Sequence, residues 1–298
     1  MLKQNGHQVE VFIDQGTQQA NRLPGLEAFH PDIIGFSCTT GAHLWAVRTA
    51  SWLKKKFPMA QIILGGAHPT FYPEIIEQEG VDMICRGEGE YALCELADKL
   101  DKREACTQIS NLWVKKDGNI FRNEVRPLVE NLDVLPFPDR RLYTDKYPRL
   151  EKSQKVFILG RGCPFACTYC FNQSLQALYK GKGPYVRQRS VENCIREIGQ
   201  VKNASVLKTV YLQDDTFGLD KAWSREFLNQ YQQQIHLPFI CLVRVDLVDE
   251  PGVKSLREAG CRNVFFGVES GNARLRQIVL GKTITDEQIR KAAQLFKK

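Results

Sequence analysis

The chain has 298 residues, 43% of them apolar and 25% charged, the balance of a folded globular protein rather than a disordered one. Its 41 basic and 34 acidic residues leave a net charge of +7, but the lysines and arginines are scattered apart from short runs such as Lys54-Lys55-Lys56 and Arg140-Arg141; with no basic stripe interleaved with aromatics, nucleic acid is not an expected partner, whereas an anionic substrate is compatible. No apolar run of about 18 residues suggests a membrane span, the segment MLKQNGHQVEVFID lacks the zones of a signal peptide, and ten cysteines in such a chain read as reduced thiols or metal ligands, so a cytoplasmic protein without disulfides is expected.

In chain order, MLKQNGHQ reads as the end of a helix, and VEVFID (9–14), DIIGFSC (32–38), QIILGG (61–66) and VDMICRG (81–87) read as strands. Near-continuous apolar runs of this length suit strands buried on both faces of a parallel sheet. Between two of them, residues 43–57 carry a broad apolar stripe of Leu44, Val47, Ala50, Trp52, Leu53 and Phe57, the pattern of an amphipathic helix. The prediction for residues 1–102 is a doubly wound, Rossmann- or flavodoxin-like α/β domain lacking its first strand. In the usual strand order that strand is central, so residues 1–298 alone are expected to express poorly.

Residues 103–150 change character. LWVKKDGNIFRNE signals a hairpin around Asp117-Gly118, and LPFPDRRLYTDKYPR is rich in proline and aromatics, so the segment is predicted to be a linker between domains that packs across both. From 151 to 298, strands at 156–160, 209–213, 239–245 and 263–269 alternate with amphipathic segments near 190–203, 220–234, 250–259 and 285–297. That alternation predicts the first four units of a TIM-type (βα) barrel, again cut short.

Directly after the first of these strands, GRGCPFACTYCFN places Cys163, Cys167 and Cys170 at spacings of three and two residues. Roughly 0.01 occurrences of this pattern are expected by chance at this cysteine frequency. A structural zinc site needs a fourth ligand, and the next histidine, His236, is remote in sequence. Three thiolates instead suit a 4Fe-4S cluster with one iron unclaimed. Polar groups follow the later strands: Asp214 and Asp215 in LQDDTF, Arg244 and Asp246 in LVRVD, and Glu269-Ser270-Gly271. The carboxyl ends of barrel strands are where active sites are built. Singly, each of these residues has a structural alternative as a helix cap or ion pair.

The cysteine motif, with Tyr169 before its third cysteine, resembles that of the radical S-adenosylmethionine (radical SAM) superfamily. The resemblance implies that the open iron chelates S-adenosylmethionine, with Tyr169, Asp214, Asp215, Arg244, Glu269 and Ser270 in contact with that cofactor, and that reductive cleavage gives a 5′-deoxyadenosyl radical. It also implies a cellular electron donor of the flavodoxin or ferredoxin type. In the first domain, Ser37-Cys38-Thr39 and Gly65-Gly66-Ala67-His68 follow successive strands. With GGAHPTFYPE, RGEGEYAL and the LPFPDR segment they resemble the cobalamin-binding (B12-binding) domain that precedes the radical domain in one large subfamily. Ser37, Thr39, Gly65 and Gly66 would then contact a corrinoid, and the reaction implied is cobalamin-dependent methylation of an unactivated carbon in a small-molecule or peptide substrate, or a related cyclisation. A degenerate scaffold without corrinoid, a corrin-free enzyme of the methylthiotransferase kind and a non-catalytic iron–sulfur or corrinoid carrier remain open, and no catalytic residue is assigned. His7, His30, His43, His68 and His236 show no ligand spacing and read as surface or loop residues. The other seven cysteines read as small core or surface residues.

Overall fold

The computed structural model describes residues 1–14, 23 and 25–297, in two compact units, Met1–Leu128 and Val129–Lys298. In the first unit a five-stranded sheet runs in chain order: β1 (Ile33–Ser37), β2 (Gln61–Gly65), β3 (Met83–Cys85), β4 (Leu112–Lys116) and β5 (Asn119–Arg122). The apolar runs at 32–38, 61–66 and 81–87 supply β1 to β3, paired in parallel with Ile34 opposite Ile62 and Ile63 opposite Met83. Helices α1 (Leu26–Phe29), α2 (His43–Lys56), α3 (Ala67–Phe71) and α4 (Glu90–Asp101) accompany them. α2 buries Ala46, Ala50 and Leu53 and carries Lys54, Lys55 and Lys56 in its last turn, where the helix dipole favours cations.

Among the described residues, 9–14 form no strand of this sheet. A second expectation is corrected. The hairpin at Asp117-Gly118 does form, with both residues at positive φ, but it belongs to the first unit: Trp113 of β4 lies antiparallel opposite Ile84 of β3. Its alternating inward residues, Leu112 and Val114, are buried with Ile63, Met83, Ala92 and Leu96, and this burial claims the hairpin for the sheet.

The second unit opens with α5 (Arg141–Thr144). Its four parallel strands are β6 (Gln154–Phe157), β9 (Thr209–Leu212), β10 (Phe239–Leu242) and β11 (Cys261–Phe265), adjacent in chain order, while β7 (Gly160–Arg161) and β8 (Arg187–Gln188) form a small antiparallel pair. Between and after them lie α6 (Phe171–Leu178), α7 (Val191–Ala204), α8 (Lys221–Gln234), α9 (Glu250–Glu258) and α10 (Asp286–Lys297). Phe157, Val210, Leu212, Phe239 and Cys241 pack against Ile195, Ile198, Phe227, Leu228 and Tyr231 of α7 and α8, so this core occupies the helix side of the sheet. Polar residues at the βα junctions start the helices: Ser190, Asp220 and Asp249 accept backbone N–H bonds in the first turns of α7, α8 and α9.

The outer edge of β6 is covered by two guanidinium groups. Arg140 donates to the Val156 carbonyl (2.7 Å) and Arg189 to the Ile158 carbonyl (3.1 Å), and both pair with the buried carboxylate of Glu197 on α7 at 3.1 and 2.5 Å. Bare strand carbonyls at an edge invite non-native pairing. Here the LPFPDR segment supplies one of the two caps.

Candidate cofactor site at the strand ends

The loop carrying Cys163, Cys167 and Cys170 joins β7 to α6. Its entry requires glycine: Gly162 sits at φ +89°, and a Cβ there would run into the Tyr185 carbonyl. Gln176 of α6 donates to the Cys163 carbonyl (2.7 Å), while Thr168 donates through its N–H to Leu280 (3.1 Å) and through its hydroxyl to Val279 (2.8 Å). The loop is therefore tied at both ends to the unit that bears it.

Each thiol faces at least one polar side chain. The Cys163 sulfur lies 3.8 Å from the Thr216 hydroxyl, Arg244 Nη1 donates to the Cys167 sulfur at 3.7 Å, and Asn172 Nδ2 donates to the Cys170 sulfur at 3.7 Å. Asn172 is itself buried and receives the Tyr185 hydroxyl at 2.5 Å. Donors aimed at sulfur suit thiolates that carry metal charge. Burial pushes the Cys163 thiol above its ordinary pKa, and a bound cation reverses that preference. The donor set and its hydrogen bonds fit an iron–sulfur cluster.

The strand-end residues predicted from the sequence divide into distinct roles. Asp214 is buried, and one carboxylate oxygen accepts the N–H groups of Leu159 (2.8 Å) and Gly160 (2.7 Å), fixing the chain between β6 and β7; the other oxygen has no protein partner. Asp215 beside it is exposed at the strand end. Glu269 follows β11 at φ +67°, its carboxylate folded over Gly267 and held by the buried ammonium of Lys282 at 2.9 Å. That ion pair keeps Glu269 below the usual carboxylate range. The same ammonium reaches the Tyr169 hydroxyl at 3.4 Å, and burial together with Glu269 raises the Tyr169 pKa. Ser270 turns its side chain to the Asn272 N–H (3.1 Å), while its carbonyl accepts from Arg276 Nη1 (2.7 Å). Arg244 is bonded through Nε and Nη2 to both oxygens of Asp246, at 3.0 and 2.8 Å.

Burial pushes Asp214 from 3.8 up to about 6, so the folded state binds this proton more tightly than the unfolded chain does. The resulting stability is present in full below about pH 4 and is lost as the pH rises through 6. Asp214→Asn keeps an acceptor for the two N–H groups and removes the titration. Between pH 4 and pH 7 the unfolding free energy of the variant should therefore gain on the wild type by about 2 kcal/mol. Chemical denaturation at a series of pH values checks this, and a pH-independent difference would place the Asp214 carboxyl in a solvated setting.

In the first unit, the ends of β1 and β2 present Ser37, Thr39, Thr40 and Gly41 beside Gly66 and Ala67, all exposed and none larger than threonine. Gly66 has a structural duty: at φ +100° its bare α-carbon faces the Cys38 backbone, where a Cβ would lie 3.0 Å from the carbonyl oxygen. Gly65 has only ordinary contacts. His68, expected at the surface or in a loop, is buried; it stacks between His43 (4.2 Å) and Tyr72 (5.1 Å) and bonds the Thr40 hydroxyl at 3.2 Å. The residues at these strand ends are small and exposed, and they leave the backbone open to approach.

Lys282, Arg276, Thr216, Asn172 and Phe165 were not singled out from the sequence. Thr216 and Phe165 could have been found from their neighbours Asp215 and Cys163, whereas Lys282 and Arg276 lie beyond the β11 end in a stretch without helical or strand period.

Residues 1–97 match the B12 binding domain and residues 157–298 the radical SAM superfamily. An uncharacterized methyltransferase of Pyrococcus horikoshii is 34% identical over 277 residues, covering 92% of this chain and 59% of that protein. The anaerobic magnesium-protoporphyrin IX monomethyl ester cyclase of Synechocystis sp. is 27% identical over 264 residues, 86% of this chain and 52% of that protein. The chain thus spans between half and three-fifths of the length of these relatives. In fold it is similar to the radical S-adenosylmethionine methyltransferase TsrM from Kitasatospora setae, with a TM-score of 0.77 at 18% identity over 99% of this chain and 60% of that one. It is also similar in fold to the cobalamin-dependent S-adenosylmethionine radical enzyme OxsB, with a TM-score of 0.73 at 23% identity over 91% of this chain and 40% of that one.

Proposed function

Because the chain belongs to the radical SAM superfamily, in the branch whose radical domain follows a B12 binding domain, we propose that it takes part in cobalamin-dependent methyl transfer to an unactivated carbon. In this reading Cys163, Cys167 and Cys170 hold a 4Fe-4S cluster, which when bound supplies the electron that cleaves S-adenosylmethionine to a 5′-deoxyadenosyl radical. The observation that carries the reading is the grouping of three thiols, each facing a polar partner, in one loop at the strand end that also bears Asp215 and the Glu269–Lys282 pair.

The residues divide the work by charge. Glu269, kept ionised by Lys282, and exposed Asp215 are acceptors for an ammonium or ribose hydroxyl, and Lys282 offers a cation to a carboxylate. Tyr169 and Ser270 border the same turn. Asp214 holds Leu159 and Gly160 on the approach to the cysteine loop. In the first unit, Ser37 and Thr39 would bond the corrinoid while Gly65 and Gly66 leave its approach open. The reductant is a flavodoxin- or ferredoxin-type protein and the substrate a small molecule or peptide. A ring-forming reaction is the second reading, supported by the likeness to the cyclase. Among the described residues no helix is long and apolar enough to cross a membrane.

Anaerobic reconstitution of the full-length protein with iron, sulfide and hydroxocobalamin tests the two-cofactor reading. A bound corrinoid spectrum that becomes that of cob(II)alamin on reduction is expected, at about one corrinoid per chain. Full iron uptake with no retained corrinoid would instead favour a corrin-free enzyme.

A further inference from the structure

Resting on the proposed iron–sulfur centre, we infer that Arg244 serves Cys167, not S-adenosylmethionine, as a positioning residue that sets the ease of reduction of the cluster this thiolate would hold. Arg244 follows β10 in extended conformation and precedes the short turn Val245–Leu247. There it is enclosed on every side that the structure defines. Asp246 takes Nε and Nη2 in a two-bond fork at 3.0 and 2.8 Å, the Phe165 ring lies 3.5 Å from the guanidinium carbon, and Nη1 is aimed at the Cys167 sulfur at 3.7 Å. Arg244 and Cys167 are each only 7% exposed.

This geometry favours the sulfur over the simpler role. Asp246 and Cys167 take three of the five N–H groups, Phe165 covers the guanidinium face, and the residue is 7% exposed, so the contacts it makes are committed to this loop rather than to a ligand in solvent. The fork with Asp246 fixes the guanidinium plane, and in that plane one N–H of Nη1 is aimed at the Cys167 sulfur. An N–H donated to a ligating thiolate withdraws charge from the cluster and favours its reduced state. Lysine, a point charge without a planar fork, would neither stack on Phe165 nor hold that direction.

The test uses the full-length protein, reconstituted anaerobically, with Arg244→Gln and the charge-retaining Arg244→Lys. Iron content, the midpoint potential from titration followed by electron paramagnetic resonance, and the dissociation constant of S-adenosylmethionine are measured for each. Both variants should retain about four irons per chain and bind S-adenosylmethionine within about twofold of wild type. The reduced-to-oxidised ratio at fixed potential should fall about tenfold in Arg244→Gln, equivalent to 59 mV for one electron. It should fall less in Arg244→Lys. If Arg244→Gln does not fold, the lysine variant carries the same measurement alone. An unchanged potential, or a tenfold or greater loss of S-adenosylmethionine affinity, would overturn the inference. Failure of the wild type to take up iron would instead sink the proposed function, so the two failures are distinguishable.

Discussion

Replacing Cys167 with alanine is expected to reduce bound iron from about four atoms per chain to fewer than one and to lower 5′-deoxyadenosine release by at least about a thousandfold. Cys167 is the most enclosed of the three thiols, lying against Arg244, whose guanidinium stacks on Phe165. The other seven cysteines supply the control. Cys106, for instance, is far along the chain in the first unit and donates only to the nearby Glu104 carbonyl, so Cys106→Ala should leave iron and cleavage unchanged. Equal iron loss from both variants would mean that uptake is non-specific, and the assignment of the cluster to the 163–170 loop would fall.

The second large effect is expected at Arg276, which is 0% exposed. Its Nη1 donates to Ser270, its Nε to the Ile284 carbonyl at 2.9 Å, and its Nη2 pairs with Asp286. One guanidinium thereby ties the turn after β11 to the start of α10. Arg276→Met fills much of the volume but leaves two carbonyls without these donors. That should cost about 3 kcal/mol, which lowers the melting temperature of a unit this size by about 9 °C. Glu269 and Lys282 lie within the segment so tied, so the affinity for S-adenosylmethionine should fall about tenfold even at temperatures where the variant is folded. A melt changed by less than about 0.5 kcal/mol would show that water or Asn272 takes over these bonds.

Much of this was legible in the sequence, for identifiable reasons. The strands at 32–38, 61–66, 209–213 and 239–245 and the helices α7 to α10 stood out because one face or both are buried in a regular period. The cysteine loop stood out because its chemistry needs a fixed spacing. The hairpin at Asp117-Gly118 was recognised from its turn residues, but its allegiance to β3 depends on pairing between residues about 30 apart, which local pattern does not encode. α6 was hidden because its first residues overlap the cysteine motif. Asp214 and Asp215 looked equivalent in the sequence; the pleat turns one onto the backbone and the other to solvent. Lys282 and Arg276 were missed because their partners are fixed by a π-helical turn at Leu275–Val279, whose period the sequence does not announce.

The central claim, that Cys163, Cys167 and Cys170 form the radical-generating centre, is tested most directly by mixing the dithionite-reduced, iron-reconstituted protein with S-adenosylmethionine under anaerobic conditions and quantifying 5′-deoxyadenosine. The account predicts release that depends on all three cysteines and accompanies about four irons per chain. An intact, iron-replete protein that releases none would contradict it and would make this site an electron carrier.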